Sequence, residues 1–255
     1  MRVLVTRPAS EALDWVDDLR RRGFDALALP LIEIAPVDSP LDTALQALRV
    51  ESFRAVMFVS GNAVRHFFRQ VPSALPWPAR TRAWAPGPGT AAALLGAGVP
   101  ASAIDSPPPD AAQFDSETMW EHVAGQLVAG DSVLIARGAD ASGTGAGRDW
   151  LAGQLRTAGA KVETIAVYLR RAPVFDAGQL AQAGQSASDG SVWLFSSSQA
   201  IAHLVSTLPG QDWRRARAVA THPRIAQAAR TAGFGVVCES LPTGDSVAAA
   251  LESIR

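Results

Sequence analysis

KVETIAVYLRRAPV, residues 161–174, is the stretch around which the rest of the chain can be ordered. Val162, Ile165, Val167 and Leu169 are strand formers, and no glycine or proline interrupts them before Pro173. Tyr168, the one tyrosine of the chain, lies among them. A counterpart stands far upstream at residues 25–37, DALALPLIEIAPV. Each stretch follows an amphipathic helical pattern that stops at a glycine, Gly23 or Gly159, and each ends in Ala-Pro-Val. The pairing predicts two passages of the chain between two domains, lying side by side.

Outside these passages, short apolar runs alternate with helical patterns. Strands are predicted at Val3–Thr6, Ala55–Val59, Thr81–Ala85, Ser132–Ala136, Val192–Phe195, Ala216–Ala220 and Gly235–Cys238. Helices are expected from Ser10, as a cap, to Gly23, at Leu41–Leu48, around Val64–Phe68, and at Thr90–Leu95, Ser116–Val128, Trp150–Thr157, Gln199–Leu208, Pro223–Gly233 and Ser246–Ile254. Gln179–Gly190 carries little signal, and Pro72–Pro78 reads as loop. Such alternation implies parallel sheets with helices on both faces.

The two halves echo each other. Val3–Arg7 resembles Val133–Arg137, Phe58–Val64 resembles Leu194–Ile201, and Ala83–Val99 resembles Ala218–Val236. Their shared order argues for duplication. With the two passages, this predicts an α/β chain of two parallel-sheet domains joined by a two-stranded antiparallel linker, with a cleft between them. Domain one comprises residues 1–33 plus 172–255, domain two residues 38–165, and the hinge strands residues 30–37 and 165–174. Ligands of open α/β sheets bind beyond the carboxyl ends of the strands, which directs attention to the loops there.

Composition narrows the function. At 255 residues the chain suits two ordinary domains. A net charge of −1 provides no global attraction to nucleic acid or to an anionic membrane. Cys238 is alone and the four histidines are scattered, so neither a disulfide framework nor a metal site is expected. No signal-peptide pattern and no apolar run of membrane-spanning length is present. A cytoplasmic protein is expected.

Several loops carry candidate chemistry. Gly87-Pro88-Gly89 opens a helix and matches a dinucleotide fingerprint only weakly, since Pro88 removes an amide; a plain anion site at Gly87 is the better reading. Gly138–Gly147 is glycine-rich but lacks the Gly-Lys-Ser/Thr ending of a phosphate loop, and reads as a mobile loop. Ser60, Ser196 and Ser197 follow strands without a nucleophile elbow; as helix caps near free amides, together with Asn62, they suit an anion. Arg7 and Arg137 close equivalent strands and either bind a carboxylate or pair within the protein. His222 sits at a helix start, where the dipole disfavours its protonated form, and takes either a structural or an acid–base role. Tyr168 is either core packing or a proton donor. A phenol carries its proton at neutral pH and can give it to a leaving hydroxyl.

These residues resemble the uroporphyrinogen-III synthase family. The resemblance rests on VLVTRP at 3–8, FVSGNAV at 58–64, VLIARG at 133–138, ETIAVYLR at 163–170, LFSSSQAI at 194–201 and ATHPRIAQAARTAGF at 220–234, in that order along nearly the whole chain. It implies two flavodoxin-like domains and an enzyme that needs no metal or organic cofactor; a monomer is expected. The implied reaction closes linear hydroxymethylbilane, which carries eight carboxylates, into uroporphyrinogen III with loss of water and inversion of ring D through a spiro intermediate. It also implies that Tyr168 assists loss of the hydroxyl, and that Ser60, Gly61, Asn62, Ser196 and Ser197 line substrate-facing loops. The competing expectation is a hinged two-domain protein that binds a small anion without catalysis.

Overall fold

The computed structural model describes residues 1–37, 49–70, 76–140 and 150–254. The expected helix at Leu41–Leu48, part of the Pro72–Pro78 loop and most of the glycine-rich loop after Asp140 lie outside them. The chain divides into two compact units, Met1–Ile34 with Arg171–Arg255, and Ala35–Arg170.

In the first unit β1 (Arg2–Val5), β2 (Asp25–Ala28), β9 (Val192–Phe195), β10 (Arg217–Ala220) and β11 (Val236–Glu239) form one sheet in the order β11-β10-β9-β1-β2. Every pair is parallel. Read from the other edge, this is the 2-1-3-4-5 order of a flavodoxin-like sheet. The strands are apolar on both faces because both are covered. Leu4, Trp193, Phe195, Ala218 and Ala220 join one core; the intervening Val3, Val5, Val192, Leu194 and Val219 join another. On the first side Trp213 and Phe234 stack with centroids 5.2 Å apart, and both meet the Trp193 ring edge-on.

The helices of this unit are α1 (Ala9–Arg21), α6 (Ala177–Gln185), α7 (Ser198–Thr207), α8 (Pro223–Thr231) and α9 (Gly244–Ser253). Ser10 does not cap α1: it lies inside the helix, and Pro8 takes the cap position without a side-chain bond. The segment that carried little signal forms α6, opened by a capping box between Asp176 and Gln179.

The second unit holds β4 (Ala55–Phe58), β5 (Arg82–Trp84), β6 (Ile104–Asp105), β7 (Ser132–Ala139) and β8 (Lys161–Arg171), with α2 (Gly61–Gln70), α3 (Pro88–Gly96), α4 (Ser116–Val123) and α5 (Trp150–Thr157). Its sheet runs β3-β8-β7-β4-β5-β6, where β3 is Glu33–Ala35. Strand for strand, β8-β7-β4-β5-β6 corresponds to β2-β1-β9-β10-β11, so the sequence echoes fall on equivalent strands. β8 is hydrogen-bonded in parallel along β7 from Lys161 to Leu169, so residues 161–170 belong to the second unit.

The β7–β8 ladder carries one irregularity. Arg137 is opposite Ala166, but Gly138 is opposite Tyr168. Val167 is therefore an extra residue, a β-bulge that re-aims the side chains after it. Val167, Tyr168 and Leu169 are consecutively buried, as on a strand covered on both faces.

Candidate functional site

The expected site residues gather at the carboxyl ends of the strands. In the first unit these are Arg7 after β1, Ser196 and Ser197 after β9, and His222 after β10. In the second they are Ser60, Gly61 and Asn62 after β4, Gly87 after β5, Arg137 and Gly138 late in β7, and Tyr168 late in β8.

Most of them serve helix starts. Ser60 Oγ accepts from the Ala63 amide at 3.2 Å, opening α2. Ser197 caps α7 through the Gln199 amide at 3.2 Å, and Ser196 is half-buried in the turn beside it. His222 Nδ1 accepts from the Arg224 amide at 3.1 Å and caps α8. Gly87 caps α3 by backbone alone, with Pro88 at the first helical position. Each site thus pairs a strand end with a helix N-terminus, where the dipole favours anions.

Other candidates are engaged internally. Arg7 donates to Glu11 Oε2 at 3.1 Å, and its guanidinium lies 4.8 Å from the Trp15 ring centroid. Asn62 is buried and its Oδ1 accepts from Arg65 Nη2 at 2.7 Å. Gly61 packs α2 closely on α3, with Gly89 and Ala93 within ordinary contact of a Cβ built there. Arg137 is half-buried on β7.

Tyr168 is the centre of a polar cluster within the second unit. It is 1% exposed, and its oxygen is met by two side chains. Arg170 donates to it from Nε at 3.2 Å and Nη2 at 2.9 Å. Ser60 Oγ lies 3.2 Å away. Gly138 lies against the ring, where a Cβ would come within 2.6 Å of Cε2 and Cζ. The His66 ring packs against the tyrosine with centroids 5.5 Å apart. Burial chiefly, and then the charges of Arg69 and Arg65, hold the His66 imidazolium below its usual range.

Sequence reasoning did not place Arg170 or His66 among the site residues. The signal for Arg170 was its place two residues beyond Tyr168, on the same face of a strand. His66 follows Asn62 by four residues on one helix, hence on the same face. Among the described residues no group of three His, Cys, Asp or Glu side chains is arranged to hold a metal, and no helix is long and apolar enough to cross a membrane.

Comparisons with known proteins agree with one another. A family model described as HEM4, Uroporphyrinogen-III synthase HemD, matches residues 14–249. A curated uroporphyrinogen-III synthase from Chlorobaculum parvum is 30% identical over 146 residues, 56% of this chain and 55% of that protein. The chain thus spans little more than half the length of the curated relative it matches. A uroporphyrinogen-III synthetase structure from Helicobacter pylori 26695 is similar with a TM-score of 0.60 and 15% identity, covering 100% of both chains. A mutant uroporphyrinogen III synthase from the extremely thermophilic bacterium Thermus thermophilus gives 0.59 and 17%, covering 100% of this chain and 98% of that one. At these identities the structural likeness is one of fold.

Proposed function

We propose that this chain, which belongs to the uroporphyrinogen-III synthase family, cyclises hydroxymethylbilane to uroporphyrinogen III. It is then a lyase that eliminates water and inverts ring D. The observation that carries the reading is the family match over residues 14–249. The Tyr168 cluster supports it, because it places a phenol, a serine hydroxyl and a guanidinium together late in the strands where such sheets bind ligands.

The chemistry asks little of acid–base groups and much of geometry. Loss of the hydroxyl leaves an azafulvene that the pyrroles themselves stabilise. The substituted α-carbon of ring D must then attack, forming a spiro intermediate, in preference to the free carbon of the linear chain's own cyclisation. Holding that arrangement is catalysis by proximity and orientation, and it accelerates only insofar as the held geometry is that of the transition state. The substrate's eight carboxylates suit the helix starts at Ser60–Asn62, Gly87, Ser196–Ser197 and His222, with Arg7, Arg137 and the Gly138 backbone nearby. Tyr168 assists departure of the hydroxyl. The same reading makes the protein a cytoplasmic monomer that needs no cofactor and acts on a small molecule, not on nucleic acid.

The test is a coupled assay. Hydroxymethylbilane is supplied, the product oxidised, and the type I and type III isomers separated by chromatography. Type III in excess of the spontaneous type I is the expected result. Type I alone from folded protein would overturn the reading in favour of a small-anion binder.

A further inference from the structure

The Tyr168 phenol and the Ser60 hydroxyl are not equally accessible. Tyr168 is 1% exposed, whereas Ser60 is only partly covered. His66 packs against the ring from the side of α2. A substrate as bulky as a tetrapyrrole meets the serine before the phenol.

Donor and acceptor counting then sets the direction of the protons. A guanidinium only donates, so the phenol oxygen accepts from both Nε and Nη2 of Arg170. Among the described residues no carboxylate takes that guanidinium. With the oxygen so engaged, the phenol's own proton has Ser60 Oγ, at 3.2 Å, as its acceptor. Ser60 Oγ also accepts the Ala63 amide. Its two acceptor sites are then filled, and its own proton points away from both neighbours. The donors run in one sense, from Arg170 to Tyr168 to Ser60 and outward.

We propose that Arg170, Tyr168 and Ser60 form a proton relay in which Ser60 touches the departing hydroxyl, Tyr168 resupplies Ser60, and Arg170 is a positioning residue for the phenol. This rests on the synthase reading above. In the elimination, the bond between carbon and the hydroxyl oxygen breaks and its electron pair goes to the oxygen. The Ser60 proton joins that oxygen and water leaves. The pyrrole nitrogen lone pair supplies the new double bond of the azafulvene cation. The Tyr168 proton moves to Ser60 Oγ, and the phenolate is held by the two Arg170 N–H groups, a charge-assisted arrangement. After ring closure a pyrrole carbon gives up one proton. That proton returns through Ser60 to the phenolate, so the net change is loss of one water.

The test uses four substitutions and one spectroscopic signal. Ser60→Ala is expected to lower the initial rate of type III formation on the order of 10- to 100-fold, with KM held within about two-fold. Ser60→Thr, which keeps a hydroxyl, restores most of the rate. Ser60→Asn keeps a helix cap but no hydroxyl; it folds like the parent and stays slow, which separates chemistry from stability. Tyrosine labelled with carbon-13 at the oxygen-bearing ring carbon gives one NMR resonance, because the chain has one tyrosine. Arg170→Met moves that resonance and lowers kcat. A parental kcat in Ser60→Asn would overturn the relay, as would an unmoved resonance in Arg170→Met. A parent protein that makes no type III isomer would instead overturn the synthase reading itself.

Discussion

Gly138 and Tyr168 stand directly opposite each other across the β7–β8 ladder, and the tyrosine ring fills the space that a side chain at 138 would need. The ring is buried among packed elements, so it has little room to yield. Gly138→Ala is expected to destabilise the protein by about 1–3 kcal/mol through overpacking and to lower kcat by displacing the phenol from Ser60. Urea unfolding and the isomer assay read the two effects. Parental stability and rate together would mean that the ring relocates without consequence.

Tyr168→Phe keeps the ring on Gly138 and removes only the oxygen that Arg170 and Ser60 meet. Turnover is expected to fall by roughly 10²-fold, the low end for a general acid, since the pyrroles assist the departure themselves. KM should change little, because the phenol is covered and in the proposed relay acts on the substrate only through Ser60. Steady-state kinetics on the parent and the variant provide the check, and unchanged kcat would remove Tyr168 from the mechanism.

His66 imposes a pH dependence on stability. Burial first, and Arg69 and Arg65 after it, lower its pKa in the folded protein, whereas in the unfolded chain it protonates near pH ~6.5. Between those values the unfolded state binds more protons, so stability rises with pH. The contribution is intact above about pH 6.5 and is lost as pH falls below it. Urea midpoints measured on either side of that pH should therefore drop on the acid side, and His66→Gln should reduce the drop. An identical drop in the variant would assign it to other groups.

His222 provides a cap that asparagine can imitate. Its Nδ1 accepts the Arg224 amide at the start of α8. His222→Ala should cost about 1 kcal/mol, and His222→Asn should recover most of it. If His222→Asn is stable yet the KM for the bilane rises, the ring also contacts substrate; an unchanged KM assigns it to the cap alone.

How much could be read from the sequence depends on the range of the forces involved. β4 and β9 were legible because AVMF and VWLF are apolar on both faces, and their serine turns were legible because a cap lies beside the helix it opens. The helix at Ala177–Gln185 was missed because alanine, glycine and glutamine leave no apolar stripe, although Asp176 and Gln179 already had capping-box spacing. The bulge at Val167 depends on the register of β8 against β7, roughly thirty residues apart in sequence. Neither strand shows it alone. The contact of the phenol with Ser60 depends on that register, which is why Tyr168 and Ser60 were legible as separate candidates but not as partners.

The order of strands in the first sheet also bears on synthesis. β1 lies between β2 and β9, so Val3, Leu4 and Val5 find their second neighbour only when Val192–Leu194 have been made. At ribosomal rates of about 5–20 residues per second, that wait is on the order of ten to forty seconds. The second unit is built from one continuous segment and has all its strands much sooner. During translation the first apolar strand to emerge therefore has β2 beside it but keeps its other edge open until β9 is made. This nascent segment is where a chaperone would be needed, and where slowed elongation would do the most harm.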